Sequence, residues 1–116
     1  MARSPKSQTG TAMPQEGQTR VVEYRTITGS GSQDLSDQVV RADASGGSLT
    51  YTLLTAVGQG GTILTVKKID SSDANTVTVA PAGGETIDGD AAGVTLTGSL
   101  KPSVTLMSNN VSWDIL

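Results

Sequence analysis

From Gly60 onward, β-branched and polar residues alternate in short runs, Thr76-Val77-Thr78-Val79 and Val94-Thr95-Leu96-Thr97 among them. Gly, Asn, Asp and Pro separate the runs about every eight to twelve residues, the period-two signature of a small all-β domain. Strands are predicted over residues 20–28, 38–42, 48–55, 62–69, 76–80, 94–96, 103–107 and 111–116. Leu49, Tyr51 and Leu53 share one face of the third, and Val77 and Val79 one face of the fifth. The run 62–69 is apolar on both faces, because Leu64 and Val66 alternate with Ile63 and Ile69. A strand lying between the core and a neighbouring subunit has this pattern, which makes Ile63, Thr65 and Ile69 the candidate oligomer contacts. Ile87 is expected to enter the core from the loop after Pro81-Ala82-Gly83-Gly84, and Trp113, alternating with Val111 and Ile115, to be its largest side chain. Asn109-Asn110 is placed as a two-residue hairpin turn, since Asn tolerates positive φ. Asp34 to Val40 has room for one helical turn at most. The predicted fold is all-β, a small antiparallel β-sandwich or barrel of about seven or eight strands.

Met1 to Thr19 breaks the pattern. It is rich in Ser, Thr, Gln, Gly and Pro, has no apolar period, and carries Pro5 and Pro14, which exclude a helix through it. Gly29-Ser30-Gly31-Ser32 has the composition of a flexible joint. The chain therefore divides into an extended polar arm, 1–33, with a first strand at 20–28, and a β domain, 34–116. Charge follows the same division. The net charge is −3, yet residues 1–25 carry Arg3, Lys6, Arg20 and Arg25 against only Glu16 and Glu23. A weakly basic arm on an acidic body suits an acidic protein surface, so these four cations are the candidate partner contacts; a merely solvated tail is the bland alternative.

Composition narrows the chemistry. Phe is absent, with one Trp and two Tyr among 116 residues, so the core must come from Val, Leu and Ile. A core of that kind gains from association, which buries further apolar surface at about 25 cal/mol per Å². No His and no Cys are present, which removes the commonest general base, the usual partner of a nucleophile, and thiolate chemistry. Gly58-Gln59-Gly60-Gly61-Thr62 lacks the lysine of a phosphate loop and reads as a hairpin turn, and there is no GxSxG elbow. Asp70, Asp73, Glu85, Asp88 and Asp90 are the carboxylates to weigh. Asp88-Gly89-Asp90 could offer oxygens to Ca²⁺ but lacks the EF-hand spacing, and a glycosidase pair would lack aromatic rings to stack sugars. Neither a cofactor nor a metal is expected. Lys67-Lys68 puts cations on opposite faces of one strand; solvation and edge protection account for them, with an acid such as Asp70 or Asp88 as a possible partner for one. Without a basic run or an aromatic set, nucleic acid is not an expected partner. No run approaches the roughly eighteen apolar residues of a membrane span, and no apolar stretch follows Arg3 and Lys6 as in a secretory signal, so a protein made in the cytoplasm is expected.

The order of motifs then carries a resemblance. Residues 61–72 (GTILTVKKIDSS), Asn75-Thr76-Val77-Thr78-Val79, Gly84-Glu85-Thr86-Ile87-Asp88-Gly89, Val104-Thr105-Leu106-Met107-Ser108 and Trp113 follow one another. In this order they resemble a β-rich module of tailed-bacteriophage virion proteins, found in tail fibres, head fibres and capsid-associated proteins. The likeness covers residues 34–116 and not 1–33. Ser108-Asn109-Asn110-Val111 departs from the SDG-type turn common in that family. The resemblance implies a structural role in the virion, commonly as a homotrimer, with no catalytic residues. The leading expectation is a capsid decoration (cement) protein that binds the major capsid protein or other virion proteins through its arm. The alternative is a tail-fibre or receptor-binding component that contacts the host surface. An enzyme acting on surface polysaccharide stands third.

Overall fold

The computed structural model describes residues 21–116. Nine strands are present among them: β1 (Tyr24–Ile27), β2 (Gly31–Ser32), β3 (Val39–Ala42), β4 (Leu49–Thr52), β5 (Ile63–Lys68), β6 (Val77–Ala80), β7 (Val94–Leu96), β8 (Ser103–Ser108) and β9 (Trp113–Ile115). They form two sheets. The first has the order β9-β8-β5-β3-β1 and the second β2-β4-β6-β7. The described residues contain no helix, and Asp34 to Asp37 makes a single turn closed by the Asp37 N–H on the Asp34 carbonyl at 2.8 Å.

From β1 to β6 the chain changes sheet after every strand. Each strand therefore meets its same-sheet predecessor running in the same direction: β1 with β3, β3 with β5, β2 with β4 and β4 with β6 are all parallel. The result is a flattened winding in which each turn adds one strand to each sheet. Antiparallel pairing enters only at its far side, where β7 joins β6, β8 joins β5 and β9 joins β8. The expected all-β fold is present, as two sheets, but its pairing is mixed where an antiparallel sandwich or barrel was expected. Alternation specifies which face of a strand is buried, and it is silent about the direction of the neighbour.

The inward positions form one core. Val40, Ala42, Leu64, Val66, Leu106 and Trp113 come from the first sheet, and Leu49, Tyr51, Val77, Val79 and Leu96 from the second. Ile87 reaches the core from its loop and is 1% exposed, as expected, and Trp113 is fully buried. Ser108 is buried as well and donates its hydroxyl to the Ala56 carbonyl at 2.8 Å.

Three local expectations change. Residues 24–32 belong to the body, since β1 lies in register on β3 and β2 on β4; only residues 1–20 of the expected arm lie outside the described residues. Gly31-Ser32 is accordingly a short strand where a joint was expected, reached where the chain crosses between sheets. Residues 109–112 form a four-residue loop between β8 and β9, wider than a two-residue turn. The Asn109 side-chain oxygen accepts the N–H groups of Val111 and Ser112, while Asn110 takes the positive φ, 73°.

Candidate interaction surface

The inward side of β5 explains the two lysines. Lys67 is exposed, whereas Lys68 is fully buried. The Lys68 ammonium donates to Asp70 Oδ2 at 2.8 Å and to the carbonyls of Ser72 (2.7 Å) and Gly98 (3.0 Å). Asp70 also accepts the N–H groups of Ala44 and Ser72. Burial alone would raise the Asp70 pKa, but the hydrogen bonds from Lys68, Ala44 and Ser72 outweigh it and hold it at about 2. This pair fastens the end of β5 to the loops beside it.

A second polar cluster closes the β1 end of the winding. Arg25, on the inward parity of β1, donates to both oxygens of Asp37 at 2.7 and 2.8 Å and to the Ser32 carbonyl at 2.9 Å. The Tyr51 hydroxyl donates to Asp37 Oδ2 at 2.6 Å. Burial raises the Asp37 pKa, yet the Arg25, Asp34 and Tyr51 hydrogen bonds bring it below the usual carboxylate value. Burial, and then the bond to Asp37, push the Tyr51 hydroxyl well up. Arg25, expected to face a partner, is thus engaged within its own chain. Arg3, Lys6 and Arg20 lie outside the described residues.

Glu85, Asp88 and Asp90 serve backbone. Asp88 accepts the Ile115 N–H and Asp90 the Ala92 N–H, each through Oδ1; Glu85 accepts the Ala56 N–H and the Thr55 hydroxyl. Among the described residues no three acids gather at one point. The arrangement supports turns and offers no paired acid and base across a cleft.

The outward side of the first sheet is different. Registered across its strands are three rows: Asp114, Met107 and Ile63; Thr105, Thr65, Val39 and Tyr24; Ser103, Lys67, Arg41 and Thr26. Ile63 is 50% exposed and Tyr24 68%. Val21 and Val22 join Val39, Ile63 and Thr65 around a shallow groove of about 350 Å³. The Thr65 and Thr105 hydroxyls share one hydrogen bond at 2.9 Å. The face is apolar and hydroxyl-bearing at its centre, cationic along one end and acidic at one corner of the other. The second sheet presents outward rows of Thr50, Thr78 and Thr95, and of Ser32, Thr52 and Ala80, with neither a charge nor a large apolar side chain.

Ile63 and Thr65 are therefore brought together on this face. Ile69 is half-buried just beyond β5, where its N–H donates to the Ala42 carbonyl. Tyr24, Val39 and Met107 were missed as members of the face. The shared parity of Val22 and Tyr24 was a signal for one edge of it; the register that brings Met107 beside Ile63 has none in the sequence. No family model, curated protein or solved structure matches the chain.

Proposed function

We propose that this chain is a structural protein of a bacteriophage virion, a decoration protein that binds the outer capsid shell and stabilises it. The observation that carries the reading is the exposed apolar face around Ile63 and Tyr24, on a small body whose Glu85, Asp88 and Asp90 are engaged with its own backbone. Isolated soluble domains gain nothing from such a face, whereas parts of an assembly use one to associate. The ordered motifs from Gly61 to Trp113 supply the kind of assembly. In this reading the protein is made in the host cytoplasm, acts in the virion as a homo-oligomer and performs no catalysis. The segment before Val21, with Arg3, Lys6 and Arg20, makes the contact with capsid subunits, and several weak contacts per oligomer add by avidity.

Deleting residues 1–19 should abolish binding to expanded capsids while the remaining chain keeps its far-ultraviolet circular dichroism. Normal capsid occupancy by the shortened chain would reject the assignment. Copies per virion separate it from a tail component, since a shell protein is present in hundreds and a tail part in a handful.

A further inference from the structure

We propose that the free edge of β1 pairs with β1 of a second copy, antiparallel about a twofold axis that sets Tyr24 opposite its own counterpart. The ladder with β3 decides which main-chain groups are left over. Val39 donates its N–H to the Glu23 carbonyl and Asp43 its N–H to the Ile27 carbonyl. With Tyr24 in register on Val39, the main-chain groups of Arg25 and Ile27 therefore turn towards β3. Those of Tyr24 and Thr26 turn outward and have no hydrogen-bond partner among the described residues. The opposite edge of the sheet is closed. On β9, Trp113 donates to the Thr86 carbonyl and accepts the Asp88 N–H, and Ile115 donates to the Asp88 carboxylate. β1 is thus the edge of this sheet that can receive a strand.

Side chains choose the strand and its register. The outward groups allow two copies of β1 to centre on Tyr24, on Arg25 or on Thr26. Centring on Arg25 opposes two guanidiniums, and centring on Thr26 sets Arg25 against Ile27. Centring on Tyr24 places Glu23 directly opposite Arg25 of the second copy, twice by symmetry, on the inward side of the joined sheet. Both groups are available for this. Glu23 and Arg25 line one shallow pocket of about 170 Å³ at this edge. The Glu23 carboxylate makes no hydrogen bond among the described residues, and Arg25, which uses Nε and Nη2 on Asp37 and the Ser32 carbonyl, keeps Nη1. Asp37 also lines the pocket, but its oxygens are engaged by Arg25, Tyr51 and the Asp34 N–H. On the outward side the two Tyr24 rings meet as a cross-strand aromatic pair. The inward charge that opposes chance pairing of this edge permits the one register in which it finds its opposite.

The contact is short, because β1 has four residues. It is smaller than a standard interface, so a dissociation constant on the order of 100 μM is expected.

The test is sedimentation velocity of the full chain from about 5 to 500 μM. The expected result is a monomer–dimer equilibrium. Tyr24→Pro should abolish the dimer, because it removes the outward N–H at the axis and leaves the bonds between β1 and β3 in place. Glu23→Lys, at an exposed position, should weaken it about tenfold, since it opposes cation to cation twice, and it carries the test should the proline disturb the fold. The chain has no cysteine, so a single introduced one reports the register. Tyr24→Cys should oxidise to a disulfide-linked dimer, because facing Cα atoms at the axis are about 5.5 Å apart. Thr26→Cys should not, since its counterpart lies four residues further along, on the order of 14 Å away. A trimer, a monomer throughout the range, a dimer indifferent to both Tyr24→Pro and Glu23→Lys, or cross-linking through Thr26→Cys in place of Tyr24→Cys would each overturn the proposal. Shell binding is tested separately on residues 1–19, so either idea can fail without the other.

Discussion

Lys68 and Asp70 show how much a single buried pair can hold. Lys68 has no solvent exposure, and a carboxylate and two carbonyls surround its side-chain nitrogen. Lys68→Met should leave Asp70 buried without its counter-charge and cost about 3 kcal/mol or more in urea unfolding. The acid limb of stability follows from Asp70. Its folded pKa is about 2, below its ordinary value of 3.8, so its contribution is complete above about pH 4 and lost as pH falls towards 2. The depressed Asp37 acts in the same direction. Unfolding followed by circular dichroism from pH 5 to about pH 2 should show this loss, and Asp70→Asn should flatten part of it. The sequence placed two cations on opposite faces, accounted for by solvation and edge protection, with Asp70 or Asp88 as a partner for one of them. Complete burial was not legible, because the carbonyls of Ser72 and Gly98 that permit it come from loops with no side-chain signal.

Most strands were legible because each side of each strand meets one environment. Leu64 and Val66 went inward and Ile63 outward as parity demands. β2 was missed because Gly31-Ser32 has no periodicity to read, and its strand geometry comes from pairing with Tyr51-Thr52. Close approach also leaves no pattern. A Cβ on Gly93 would sit 2.1 Å from the Val79 carbonyl, in a backbone with φ +83°, whereas one on Gly61, at φ +85°, meets open space. Gly61→Ala should therefore cost about 1 kcal/mol, the left-handed backbone term alone. Gly93→Ala should cost at least about twice that, because the β6–β7 ladder must also shift; thermal melts of the two compare them directly. At the other end of the second sheet's neighbour, β1 is an edge strand whose inward Arg25 closes the winding. Inward charge is one way natural sheets blunt an edge. Arg25→Leu should lower stability by about 1–3 kcal/mol, through unpaired Asp37, and increase light scattering at high concentration.

For the whole molecule, an all-β sandwich or barrel could be expected from strand count and turn spacing, but neither the choice between them nor the winding could. It is set by which strands neighbour one another, and parity is the same for parallel and antiparallel partners. The candidate site was half legible for the same reason: Ile63 and Thr65 share a strand, whereas Tyr24, Val39 and Met107 join them only through register. That register has a consequence for time as well as for shape. β5 stands between β3 and β8, so the strand at the middle of the first sheet waits for a partner made some forty residues later. Pairings this distant in sequence make folding slow, on the order of milliseconds to seconds. A growing chain that ends at Lys101 has no Val104, Leu106 or Trp113 with which to cover Leu64 and Val66. It should show no cooperative melt and should bind a hydrophobic dye. On the ribosome, the wound strands would wait with one side uncovered until β8 and β9 emerge, and during that interval a chaperone would have the most to hold.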